Sequence, residues 1–239
     1  MATKNVIVDN KHFDISYEIV NPTAKKDIIF LHGWGSNKDI MKNIFSSYLK
    51  DFRHIYIDLP GFGKSLNNYV LTTQDYAKIV DEFLNLISSS KDIIAGHSYG
   101  GKVAVLLNPK NLVMLSSAGI LEEKPFDVKA KIFFAKVFNA LGLRGITKRF
   151  RSKDVNTMSE NMYATFKNVV NEDFSSYFSN FSNNALVFWG EKDTATSLQS
   201  GKKMASLLKK STFTSYDGDH YFFAHNAKNI SERIENGIL

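Results

Sequence analysis

Three residues of this 239-residue chain have the types and the order that nucleophilic acyl chemistry requires: Ser98, Asp193 and His220. A serine hydroxyl is a weak nucleophile at neutral pH. It needs a base within hydrogen-bond reach, and the base needs a carboxylate to fix its tautomer. Ser98 lies in Gly96-His97-Ser98-Tyr99-Gly100, directly after the apolar run Ile93-Ile94-Ala95. That context reads as a G-x-S-x-G nucleophile elbow between a buried strand and a helix. Glycines two residues either side of the serine let strand and helix backbones approach more closely than a Cβ would allow. Asp193 comes later in Trp189-Gly190-Glu191-Lys192-Asp193, and His220 in Asp217-Gly218-Asp219-His220. Each stands just past an apolar run that reads as a strand, in the order Ser, Asp, His. Glu191 is the alternative acid. Asp217 and Asp219 are rivals too close to the base in sequence to orient it.

Acyl transfer also needs donors aimed at the developing oxyanion, commonly backbone N–H groups. One is expected from Tyr99, at the start of the helix after the serine. The other is expected from the loop His32-Gly33-Trp34-Gly35, with Trp34 as the donor. The remaining histidines have other readings. His32 shapes its loop, His97 points away from the serine, His12 and His54 lie on strands, and His225 packs the last helix. Asp58 caps its own loop. The chain has no cysteine, which excludes disulfides, thiolate nucleophiles and zinc–thiolate sites. No group of histidines and carboxylates has metal-ligand spacing, so neither a metal nor any other cofactor is expected.

The elements that must position these residues are legible in the apolar pattern. Val6 to Val8 and His12 to Val20 form an opening hairpin about Asp9-Asn10-Lys11. Ile28 to Leu31, His54 to Asp58, Lys91 to Ala95, Leu112 to Leu115, Leu186 to Trp189 and Thr212 to Tyr216 read as further strands. The uninterrupted apolar runs among them suit strands covered on both faces. Helices are expected over Ile40 to Leu49, from Thr72 or Thr73, after the elbow, over Leu198 to Leu208, and from Ala227 to Leu239. In the second of these, Tyr76, Ile79, Val80, Phe83, Leu84 and Ile87 make a one-sided stripe. Alternating strands and helices predict an α/β protein with a mostly parallel, doubly covered sheet. The alternation breaks after Gly119, so the core reads as residues 1–120 and 185–239, with a helical lid over 121–184 inserted after the sixth strand.

The H-G-W-G loop, the segment Asp58-Leu59-Pro60-Gly61-Phe62-Gly63-Lys64-Ser65, the elbow, the W-G-E-K-D segment and the G-D-H segment together resemble the α/β-hydrolase superfamily over essentially the whole chain. The resemblance implies the α/β-hydrolase fold, with Ser98 as nucleophile, Asp193 as acid, His220 as base and oxyanion amides at Trp34 and Tyr99. The loops at 32–35 and 58–65 are similar to those of pimeloyl-acyl-carrier-protein methyl ester esterases. The chain is also similar to ring-cleavage-product hydrolases of carbon–carbon bonds, but has His97 and Tyr221 where those carry asparagine and tryptophan.

In the lid, Ala130, Phe133, Phe134, Val137, Phe138 and Leu141 recur at helical spacing. This face either roofs an apolar acyl pocket, formed by Phe133, Phe134, Val137 and Phe138, or glues the lid to the core. Between Lys124 and Lys153 stand nine basic residues against Asp127 alone, a local +8 that exceeds the +6 of the whole chain. Such charge suits docking of an acidic acyl carrier protein, an anionic substrate or an anionic membrane surface, and equally a solvated lid surface. No nucleic-acid motif accompanies it. Neither a signal-peptide pattern nor a run long enough to span a membrane is present, and a cytoplasmic protein is expected. Three functional readings are consistent with these residues: a serine esterase acting on a small-molecule ester, a carbon–carbon bond hydrolase, or a ligand-sensing protein that retains the pocket.

Overall fold

The chain opens on a hairpin of β1 (Ala2–Val8) and β2 (Lys11–Val20), turned by Asp9 and Asn10 at φ of 50° and 60°. Two successive left-handed residues make the tight turn whose twist matches that of the paired strands. After it come β3 (Lys26–Leu31), α1 (Lys38–Phe45), β4 (Phe52–Ile57), α2 (Thr73–Leu86), β5 (Ile93–His97), α3 (Tyr99–Leu106) and β6 (Asn111–Leu115). The second part holds α4 (Glu160–Val169), α5 (Ser175–Asn180), β7 (Asn184–Gly190), α6 (Leu198–Leu207), β8 (Lys210–Tyr216) and α7 (Phe223–Ile238). This is a computed structural model that describes residues 2–122 and 158–238. Phe133, Phe134, Val137 and Phe138, and the basic residues from Lys124 to Lys153, lie outside the described residues.

Among the described residues, eight strands form one sheet in the order β1-β2-β4-β3-β5-β6-β7-β8. In it β1–β2 and β2–β4 pair antiparallel, and every pair from β4 to β8 is parallel. The central strands carry apolar side chains on both faces, as their unbroken runs require. Ile29, Leu31, Ile94 and Met114 join one core with α2, α3, α5 and α6. Ile28, Phe30, Ala95 and Val113 join the other with α1 and α7.

Local chemistry places the helix starts. Thr72 caps α2 by accepting from the Asp75 amide, while the Asp75 carboxylate accepts from the Thr72 amide at 2.8 Å. This reciprocal box fixes the first turn. It turns Tyr76, Ile79, Val80, Phe83 and Leu84 onto the sheet, all buried, each worth roughly 1.5–3 kcal/mol. The last helix differs from the sequence expectation, starting at Phe223 rather than Ala227. Phe222 and Phe223 are buried in the second core, so the chain begins to coil as soon as it leaves the sheet edge. His225, expected to pack this helix, faces solvent instead.

Candidate active site

Between β5 and α3 the chain makes a tight turn. Ser98 sits there at φ 51° and ψ −117°, a conformation that an L-residue adopts only under constraint from its surroundings. The constraint is visible. The Ser98 amide donates to Leu115 O at 3.1 Å, and Ser98 O accepts from Ala118 N at 2.9 Å and from Gly101 N at 3.1 Å. Close approach explains the flanking glycines. A Cβ on Gly96 would lie 2.5 Å from Gly100 O, and one on Gly100 would lie 2.4 Å from Leu31 O.

Parallel pairing of Leu31 with Gly96 sets the loop after β3 beside Ser98. His32 ties that loop down. Its Nε2 accepts from Leu59 N at 3.0 Å, and its Nδ1 donates to Gly33 O at 2.7 Å. Burial holds its pKa down at about 4, so it stays neutral and shapes the turn. The neighbouring loop is held by Asp58, which is fully buried. It accepts from the Lys38 amide at 2.8 Å, the Lys38 ammonium at 3.0 Å and the Lys64 amide at 3.0 Å. Trp34 then stands edge-on to Phe62 and Tyr99, with ring centroids 4.8 and 5.4 Å away. Tyr99 is the first residue of α3, so its N–H has no acceptor within the helix, and the positive end of the helix lies at Ser98.

On the other side, β7 and β8 run parallel and end next to each other. The loops after them bring Asp193 and His220 together, with Nδ1 and Oδ2 2.8 Å apart. Asp193 also accepts from Ala195 N at 2.8 Å, Thr196 N at 2.9 Å and Thr196 Oγ1 at 2.9 Å. Burial alone would raise its pKa. Hydrogen bonds from His220, the Thr196 backbone and Ser116 outweigh it and hold the carboxyl at about 2. Glu191 takes no part in this pairing, and its carboxylate accepts from Ser215 Oγ at 2.7 Å.

His97 is turned toward the base segment. Its Nε2 donates to His220 O at 3.1 Å, and its ring lies 4.6 Å from the His220 ring. Full burial drives its pKa to about 3, so it is a neutral donor. His54 is buried between Tyr56 Oη and Leu49 O, at 2.8 Å from each, and His12 is exposed.

A cavity of 140 Å³ opens at Ser98, lined by Trp34, Tyr99, Ala118, Phe166, Val169 and Val170. One charged residue shares the lining: Lys102, which is 2% exposed. Motif and spacing do not single it out. Its one signal in the sequence is a lone charge inside the apolar run of the elbow helix. Among the described residues no cluster of histidines and carboxylates could hold a metal, and no helix is long and apolar enough to cross a membrane.

Against known proteins, the model of the alpha/beta hydrolase family matches residues 28–229. A pimeloyl-acyl-carrier-protein methyl ester esterase of Pseudoalteromonas atlantica is 34% identical over 92 residues, covering 37% of this chain and 35% of that protein. The chain thus matches about a third of the length of such relatives. An uncharacterized hydrolase of Bacillus subtilis is 23% identical, with 94% of each chain covered. Among solved structures, an esterase from Exiguobacterium antarcticum superposes with a TM-score of 0.76 at 18% identity, covering 99% of each chain, a likeness of fold.

Proposed function

The chain belongs to the alpha/beta hydrolase family, and from that premise we propose that it is a serine hydrolase that cleaves a carboxylic ester. One observation carries the reading. A buried carboxylate and a histidine 2.8 Å apart stand at the same sheet end as a serine held in a strained turn. With Nδ1–H given to Asp193, the His220 ring carries its lone pair on Nε2. Ser98 Oγ attacks the ester carbonyl while Nε2 takes its proton, and Asp193 stabilises the imidazolium that forms. The backbone amides of Trp34 and Tyr99 bind the oxyanion. The alcohol leaves with the proton from His220, water then attacks the acyl-enzyme with His220 again as base, and the acid is released. No step calls for a cofactor.

The finer substrate is a carrier-linked ester. Two facts support it: the partial match to esterases whose name specifies an acyl carrier protein, and the basic stretch from Lys124 to Lys153. The test is a panel of p-nitrophenyl esters and carrier-linked methyl esters, run on the wild type and on Ser98→Ala. Turnover of esters that Ser98→Ala loses by about three orders of magnitude or more, with the carrier-linked ester preferred, is the expected result. Full activity in Ser98→Ala would refute the nucleophile. No preference for the carrier would remove the carrier.

A further inference from the structure

A lysine without water is costly to keep, and a sequence retains one only where its ammonium is fully used. Lys102 sits one helical turn beyond Ser98 on α3, and its ammonium is spent on the far side of the cavity. Nζ donates to Val169 O at 2.7 Å, and reaches Glu172 O at 3.5 Å and the Glu172 carboxylate at 3.6 Å. It also lies 5.2 Å over the Phe174 ring. These groups form the end of α4 and the turn into α5. A lysine at a helix C-terminus satisfies the last carbonyls, which otherwise have no donor. Glu172 is anchored in turn by the Thr73 hydroxyl at the start of α2.

The other end of α4 is tied elsewhere. Asn161 Nδ2 donates to Asn67 O at 2.8 Å, and Thr165 Oγ1 accepts from Leu71 N at 3.0 Å. Near its C-terminal end Asn168 Nδ2 donates to Leu71 O at 3.2 Å, and Lys102 ties that end to the helix behind Ser98. What that end does is visible in the cavities. Beyond the 140 Å³ chamber at Ser98 lies a second of 350 Å³, lined by Gly119, Leu121, Glu122, Ala195 and Thr196 among others. The two chambers share Lys102, Ala118 and Val170 as a common wall. The first chamber is the smaller of the two. It is well short of the roughly 300–1,000 Å³ of a usual ligand site.

Resting on the ester-hydrolase reading, we infer that Lys102 is a positioning residue that sets the length of the chain accepted beside Ser98. It does so by holding the end of α4 as a partition between the two chambers. The substrate class is accordingly an ester whose chain at this side of Ser98 is short. Loss of the ammonium removes the donor that Val169 O and Glu172 O share, and leaves the Glu172 carboxylate with the Thr73 hydroxyl. The partition then opens, and longer chains run through into the second chamber.

The experiment measures kcat/KM on p-nitrophenyl esters of two, four, six and eight acyl carbons for three proteins: wild type, Lys102→Met and Val170→Ala. Lys102→Met keeps the stem and removes the charge. Val170→Ala thins the wall at a residue that is 44% exposed, so it folds even if Lys102→Met does not. The wild type should fall off beyond the four-carbon ester. In each variant the ratio of eight-carbon to two-carbon kcat/KM should rise on the order of tenfold, the worth of about two newly buried methylenes. A purely structural lysine would lower all four esters in parallel. An unchanged ratio in Val170→Ala, or a wild type with no chain-length cutoff, overturns the inference and leaves the hydrolase reading standing. A wild type inactive on every ester sinks the hydrolase reading, and this inference with it.

Discussion

Replacing Asp193 by asparagine keeps the side chain's shape and removes its charge, and the hydrogen bonds around it determine the outcome. Asparagine Oδ1 can still accept from Ala195 N and Thr196 N, where the carboxylate accepts at 2.8 and 2.9 Å. Its amide nitrogen then faces His220 Nδ1, now 2.8 Å from a carboxylate oxygen. Two N–H groups cannot point at each other. The histidine answers by moving its proton to Nε2, the nitrogen needed to take the proton of Ser98. On ester turnover kcat should fall by about four orders of magnitude, the scale of such a tautomer error.

Stability falls by a smaller and pH-dependent amount. The folded protein holds the Asp193 carboxyl at about 2 rather than its ordinary 3.8. At about 1.36 kcal/mol per pH unit this is worth about 2 kcal/mol. Because the folded value is depressed, the contribution is fully present above about pH 5, roughly halved near pH 3 and gone near pH 1. Urea unfolding of wild type and Asp193→Asn at pH 7, 5, 4 and 3 checks it. The gap should be about 2 kcal/mol at pH 7 and narrow as pH falls toward 3. A gap that stays constant with pH, or a variant retaining kcat within tenfold of wild type, would refute the reasoning.

Two further substitutions probe the frame around the site. Asp58→Ala leaves the Lys38 ammonium, which is 1% exposed, with the half-exposed Asp39 carboxylate at 3.3 Å in place of its buried partner, and should cost about 3 kcal/mol in urea unfolding. Lys38→Met with Asp58→Leu should cost less than Asp58→Ala alone, and equal costs would show that the pair is not coupled. Gly100→Ala drives a Cβ to 2.4 Å from Leu31 O, a backbone atom that cannot swing aside. It should cost about 3 kcal/mol and reduce ester turnover with it; normal stability and turnover would mean that the elbow is not packed as described.

Much of this was legible without coordinates, for identifiable reasons. Ile28 to Leu31 has no polar alternation, and a strand of that kind has to be covered on both faces. The stripe from Tyr76 to Leu84 has one helical face to bury, and Thr72 or Thr73 has the chemistry to cap it, with the choice of Thr72 and its pairing with Asp75 set by the structure. Gly96 and Gly100 announce the tight turn because nothing larger fits. Local pattern was a poorer guide at the end of the chain, where burial of Phe222 and Phe223 starts α7 early and leaves His225 outside.

By itself, then, the sequence determined the α/β alternation, the position of the elbow and the short set of side chains able to do acyl chemistry. These depend on residue type and on periods of two and 3.6, which are local properties. The tertiary structure decided which members of that set meet. Asp193 and Glu191 leave the same strand two residues apart, and only the way the loop after β7 packs on Gly218 and Tyr216 turns Asp193 toward His220. It decided that His97 lies against His220. It also decided that Lys102, a charge in an apolar run, is buried and aimed at the end of a helix 67 residues further along the chain. Contacts of that kind are set by the meeting of distant segments, and spacing along one segment carries no record of them.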